Sequence, residues 1–202
     1  TLNELDANSS PGSVGIETII FKKCADTLGP SMTKLFNLCL ETGRIPDEWK
    51  IAHVTPIYKG KGLKTDLNNY RPISVISPVA KAFETLVSRD VHGYLKEKCI
   101  LHDSQFGFRV GRSCELALNT MIDDWRDALD ISEHIISLFL DLSKAFDTVD
   151  HQLLLKKLYY YNFDLTLIDL FRNYLSDRFI RVNINGHLSK EEKINVGVPQ
   201  GS

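Results

Sequence analysis

Long apolar runs are missing from this sequence: no stretch of about 18 apolar residues occurs, so no membrane span is expected. The first 30 residues also lack a basic stretch followed by an apolar one, which gives no sign of a secretory signal. Excess charge of either sign is absent. Against 26 Asp and Glu stand 24 Lys and Arg, a formal net charge of −2. That balance excludes a diffuse electrostatic grip on nucleic acid and leaves such a role to local patches. Cysteine is scarce: Cys24, Cys39, Cys99 and Cys114 form no Cys-x-x-Cys and have no histidine at zinc-ligand spacing. They are expected to be buried, reduced thiols of an intracellular protein rather than a disulfide framework or a zinc site. The six histidines are scattered, and neither a Gly-rich phosphate loop nor a Ser/His/Asp arrangement occurs. An initiating Met is absent too. The chain opens on Thr1 and stops at Ser202 after a Pro-Gln-Gly turn, so it reads as a piece of a longer product.

What is present is the composition of an ordinary globular chain, long enough for one domain, or one lobe and part of another. Residues 1–14, with Asn8-Ser9-Ser10-Pro11-Gly12-Ser13, read as loop or frayed terminus. Ile16, Ile19, Ile20 and Cys24 predict a short helix ending near Leu28-Gly29-Pro30. Met32, Leu35, Phe36, Cys39 and Leu40 then give a second one between Ser31 and Gly43. Ile51 to Tyr58 is a strand candidate, placed at a sheet edge because Pro56 lacks an N–H. Ser77-Pro78 starts a helix whose stripe includes Val79, Ala82, Phe83 and Leu86. Ser113 caps another, expected to bury Ala117, Met121, Ile122, Trp125, Ala128 and Leu129. Ile135 to Leu140 is a continuous apolar run, the pattern of a strand buried on both faces. Asp150 and Asp164 begin helices through Tyr160 and Leu175, and residues 179–184 alternate up to Asn185-Gly186, a hairpin signal whose return strand would pass Ile194 and Val196. The sum is an α+β chain rich in helix.

The segment that carries chemistry runs from Ser137 to Asp147. An apolar strand would deliver the Asp141 carboxylate to its carboxyl end, where desolvation is costly unless a cation meets it. A hard divalent ion such as Mg²⁺ is one such partner. A helix cap or a lysine pair is the other reading, and it stays open here.

The string FLDLSKAFDTVDHQLLLKKL resembles motif A of the reverse transcriptases of non-LTR (LINE-like) retrotransposons. Three further blocks in the same order strengthen the resemblance: Asn69-Tyr70-Arg71-Pro72-Ile73-Ser74, then Gln105 to Arg109 with Gly111-Arg112-Ser113, then Gly197-Val198-Pro199-Gln200-Gly201-Ser202, similar to the start of motif B. Gly43 to Gly60 also looks like the stretch preceding the fingers of such enzymes.

The resemblance implies a right-hand polymerase fold: a helical extension over 1–60, fingers over 61–132 and the first part of the palm over 133–202. It implies nucleotidyl transfer from a dNTP to a DNA primer 3′-hydroxyl on an RNA template, with two Mg²⁺ (or Mn²⁺) ions. By the same resemblance Asp141 is a catalytic metal ligand, and Leu142 lends its carbonyl to a metal. Phe146 gates the sugar, or is a core aromatic, or both. Arg71 and Lys81 meet the triphosphate, though Lys81 alone reads as a solvated helix face. Gln200 and Gly201 form the motif B turn beside the nucleotide. Arg109 and Arg112 contact template or triphosphate, or are a surface pair in a turn. Lys59, Lys61 and Lys64 near Tyr58 and Tyr70 are a backbone-binding patch or a solvated loop. Asp147 reads as a turn or cap residue, and His151, four residues on, as a helix-surface histidine.

The Tyr-x-Asp-Asp motif that supplies the family's other metal-binding aspartate does not occur, and the Asp123-Asp124 pair falls in a predicted helix before motif A. The chain alone is therefore expected to be inactive as a polymerase, with the remainder of a polyprotein as its partner. A non-catalytic RNA-binding relic and a maturase-like protein are the competing expectations. With its predicted strand 135–140 lacking a palm neighbour, the chain is also expected to self-associate.

Overall fold

A computed structural model describes residues 1–7, 9–12 and 15–201; Asn8 and Ser13 of the predicted N-terminal loop, and Ser202 of the last motif, lie outside the described residues. The chain forms two compact units, Thr1–Arg89 with Lys144–Ser202, and Asp90–Ser143. Among the described residues no helix is long and apolar enough to cross a membrane.

The first unit is built on a sheet in the order β2-β1-β3-β4, with β5 also pairing β3. Its strands are β1 (Ile51–Tyr58), β2 (Tyr70–Val75), β3 (Arg178–Ile184), β4 (His187–Leu188) and β5 (Glu192–Ile194). The predicted edge strand is thus central: β1 pairs antiparallel with β2 and parallel with β3. Pro56 is tolerated there for a geometric reason. Lys59 N–H donates to the Asn69 carbonyl at 2.8 Å, so the alternation of an antiparallel ladder makes Pro56 and Pro72 a pair whose N–H positions point away from each other. On the far side of β1 the pairing with β3 covers only Ile51 to Val54, so no bond is asked of Pro56.

Helices α1 (Thr18–Lys23), α2 (Ala25–Thr42), the start of α3 (Pro78–Glu97) and α6 (Leu165–Leu175) cover the core, with α5 (His151–Tyr160) against α6. Phe36, Trp49 and Phe83 meet at ring-centroid distances of 5.3 to 6.0 Å in its centre. Three expectations change here. The break comes at Cys24 rather than at Gly29-Pro30, and α2 runs through Pro30. Ala25, Leu28, Met32, Leu35, Phe36 and Cys39 form one stripe at helical spacing against the core, and that continuous burial outweighs the hydrogen bond Pro30 cannot make. The first residues are not frayed: Leu2 and Leu5 are buried in the core, and Lys22 Nζ donates to the Leu5 carbonyl. Of the four cysteines, all free, only Cys39 is buried.

Other signals hold. Ser77, Asp150 and Asp164 side chains accept from the first-turn N–H groups of α3, α5 and α6. Asn185 and Gly186 both take positive φ, as a two-residue hairpin turn requires. The return strand is split: the register slips by one residue between β4 and β5, a bulge at Ser189 to Glu191.

In the second unit α4 (Cys114–Asp130) is capped by Ser113, whose Oγ accepts from Leu116 N–H at 3.1 Å. None of α4's residues is buried, contrary to expectation; Leu129 is 61% exposed. The predicted strand 135–140 is also overturned: residues 133–142 have no regular structure, and Ile136, Leu138, Phe139 and Leu140 are exposed. A doubly buried strand needs neighbours to take its N–H and C=O groups. None of β1 to β5 pairs with this run.

Candidate functional site

In the first unit two segments distant in sequence are locked together. After Lys144 the chain makes a tight turn in which Asp147 N–H donates to the Lys144 carbonyl. The turn at 197–201 docks on it through Gly197 N–H to Val149 carbonyl and Val198 N–H to Phe146 carbonyl, both 2.9 Å. His151 Nε2 lies 2.7 Å from the Gly197 carbonyl, and Gln200 Nε2 donates to Asp147 Oδ1 at 2.7 Å. Gly197 has φ +82°, and a Cβ there would sit 2.7 Å from the Asp147 carbonyl oxygen. Only glycine permits that approach.

The same turn closes the open edge of β2. Ser74 belongs to the pairs whose N–H faces away from β1, and it donates to the Gln200 carbonyl at 2.8 Å. Gly201, at φ +88°, lies against Ile73: a Cβ on it would be 3.2 Å from Ile73 Cγ2. Arg71 shares the β2 face of Ile73 by the two-residue period and is exposed. A small cavity of about 130 Å³ is lined by Ile73, Ser74, Gly201 and the exposed Lys81 of α3. Of the predicted nucleotide residues, the structure therefore brings Lys81 and Gly201 round one cavity, and Gln200 and the half-exposed Phe146 into the junction beside it.

A second cavity, of about 300 Å³, lies behind the junction, between β1, β3 and the 196–200 segment. Asp147 and Gln200 line it, and so does Arg178, which is 1% exposed. Sequence reasoning missed three members of this assembly. Arg178 carried no signal beyond its place before an alternating strand. His151 was visible only by its spacing from Asp147, and Asp147 itself accepts a hydrogen bond that its turn role does not require.

The predicted metal and template residues belong to the second unit. Arg109 Nη1 donates to the His102 carbonyl at 2.7 Å, and the Arg112 guanidinium stacks 5.1 Å from the Phe106 ring centroid with Asp103 3.9 Å away. Both arginines clasp their own loop. Asp141 and Leu142 are exposed in the irregular stretch. No group of three or more His, Cys, Asp or Glu side chains gathers among the described residues. Among the described residues Asp141 belongs to no such group, so the full donor set of a divalent-metal site is not assembled by these residues. The basic patch is partly self-engaged, since Lys59 Nζ donates to the Asn68 carbonyl and Lys64 sits 5.7 Å from the Tyr58 ring centroid.

Residues 59–202 match the family Reverse transcriptase (RNA-dependent DNA polymerase). The chain is 29% identical over 201 residues to the probable RNA-directed DNA polymerase from transposon BS of Drosophila melanogaster, an alignment covering 100% of this chain and 22% of that protein. It is 31% identical over 174 residues to the probable RNA-directed DNA polymerase from transposon X-element of the same fly, covering 85% and 19%. The RNA-directed DNA polymerase from mobile element jockey, also of Drosophila melanogaster, is 28% identical over 199 residues, covering 98% and 22%. The chain thus spans about a fifth of the length of these curated relatives. Both segments joined at the junction fall inside the matched region, and on that match the chain belongs to the reverse transcriptase family, alongside the RNA-directed DNA polymerases of non-LTR retrotransposons.

Proposed function

We propose that this chain supplies the nucleotide-facing part of an RNA-directed DNA polymerase, with residues 61–132 as fingers of a right-hand fold, 133–202 as the first part of its palm, and 1–60 as an extension before them. Its substrate is a dNTP, its nucleic-acid partners an RNA template and a DNA primer, and its protein partner the rest of a polyprotein, in an intracellular setting. The observation that supports this reading is the docking of the 197–201 turn on both the 144–151 turn and the β2 edge. Gly201 and Lys81 share one cavity, and Gln200 and Phe146 belong to the junction; in this reading an aromatic, an amide, a bare backbone and a cation serve the nucleotide. Arg71 adds a second exposed cation on the β2 face next to Gly201. In the second unit, Arg109 and Arg112 hold the loop that would meet template.

Asp141 and the Leu142 carbonyl are this chain's contribution to a Mg²⁺ or Mn²⁺ pair, which requires another carboxylate. The sequence holds no Tyr-x-Asp-Asp to supply it. Purified 1–202 is accordingly expected to give no templated extension of a DNA primer on RNA with dNTPs and either metal. Grafted into the transposon BS polymerase in place of its matching residues, the same segment is expected to support extension, and Asp141→Ala in the graft to reduce it by at least about a thousandfold, the scale of losing a transition-state charge contact. Extension by 1–202 alone would refute the need for an outside carboxylate. A folded graft indifferent to Asp141→Ala would refute the assignment itself.

A further inference from the structure

Arg178 is the least explained side chain in the first unit. Its guanidinium is buried at the start of β3, Nη1 donates to the Tyr174 carbonyl at 3.0 Å, and the Tyr174 ring lies 4.4 Å below. Nη2 is buried and has no protein partner among the described residues. A guanidinium stays charged at any working pH, so a buried one without a counter-charge is expensive. Other carboxylates of this region have partners of their own: Asp177 is held by Lys193 at 2.6 Å, Glu191 by Arg181 at 2.7 Å, and Glu84 accepts from the Tyr174 hydroxyl at 2.7 Å. Among the residues lining the 300 Å³ cavity, Arg178 is the one cation and Asp147 the one carboxylate. Asp147 in turn is partly buried, and among the described residues the neutral amide of Gln200 is its one side-chain partner.

We propose that Arg178 and Asp147 are a charge pair across this cavity, and that the pair is a positioning device for Gln200. The Arg178 charge holds the Asp147 carboxylate inward, and that carboxylate fixes the Gln200 amide with Nε2 directed to Asp147. The opposite edge of the amide, Oε1, is thereby presented away from Asp147 in a set orientation. Neither Arg178 nor Asp147 touches a nucleotide. They act through Gln200, and the consequence for nucleotide binding rests on the polymerase reading above, whereas the pair itself does not.

The sequence has three glutamines, Gln105, Gln152 and Gln200, so selective ¹⁵N-glutamine labelling of 1–202 resolves the Gln200 side-chain amide by NMR. Its proton exchange with water is expected to speed up by about tenfold in Arg178→Met, the scale of one charge-assisted hydrogen bond, and to stay near wild type in Arg178→Lys. Unchanged exchange in a folded Arg178→Met overturns the proposal. If that variant does not fold, Asp147→Ala supplies a second arm, because the lost carboxylate can be replaced by sodium formate. At ionic strength matched with sodium chloride, formate should raise the melting midpoint of Asp147→Ala and leave that of the wild-type chain unmoved. Equal effects on both would overturn the proposal as well. Both readouts are made on the chain without catalysis, so a failed polymerase assay leaves them standing, and their failure leaves the polymerase assignment untouched.

Discussion

At the scale of single residues, two positions let the junction and the sheet be tested. Gly197 holds φ +82° with Asp147 backbone where a side chain would begin. Gly197→Ala therefore meets both a strained backbone and a clash with the carbonyl group and Cα of Asp147. A loss of about 2 kcal/mol in urea unfolding is expected; a loss under about 0.5 kcal/mol would mean the two turns part freely. His53 gives a pH dependence. It lies in β1 opposite Arg181 of β3, and burial first, then the Arg181 charge, push its pKa below the usual histidine range. The unfolded chain then binds a proton that the folded one refuses. Stability from this group is present in full above the unfolded value of about 6.5 and falls as pH drops below it toward the folded value. The melting midpoint should therefore decline on acidification through that window, and His53→Gln should flatten the decline. A wild-type slope that persists in His53→Gln would assign it to other groups.

At the scale of elements, what was legible divides by whether the signal was local. Caps and turns are local, and Ser77, Ser113, Asp150, Asp164 and Asn185-Gly186 all sit where their chemistry placed them. Three misreadings depended on distant partners. Pro56 argued for an edge, yet the ladder on one side of β1 ends at Val54, a fact of register that no pattern in 51–58 contains. Gly29-Pro30 argued for a break, yet residues from Leu2 to Leu170 provide the core that keeps the helix going. The run 135–140 had the composition of an interior strand, but a strand is a statement about its neighbours. The site shows the same split. Gln200 and Gly201 were visible as a motif, while their contacts with Asp147 and Ile73 join positions that only folding brings together.

At the scale of the whole molecule, burial is unevenly distributed. Every residue of the buried cluster belongs to the first unit, and α4 has no buried residue at all. Ile136, Leu138, Phe139 and Leu140 stand 96%, 80%, 74% and 85% exposed in one short run, so a large apolar side chain appears at nearly every position. Each such side chain gains about 1.5–3 kcal/mol when removed from water, and none of β1 to β5 pairs with the backbone of this run. Two copies of 1–202 can satisfy both needs by pairing these runs with each other. Light scattering should then show a mass that rises with concentration. In the triple variant Ile136→Ser/Leu138→Lys/Leu140→Ser the dimer should weaken by at least about tenfold, since each buried side chain lost is worth more than the 1.4 kcal/mol that factor requires. Unfolding of the variant monomer should shift by no more than about 0.5 kcal/mol, the usual range for side chains that pack on nothing. A wild-type chain that stays monomeric at high concentration would deny that this run seeks a partner. A variant monomer losing several kcal/mol would place the run inside its own fold.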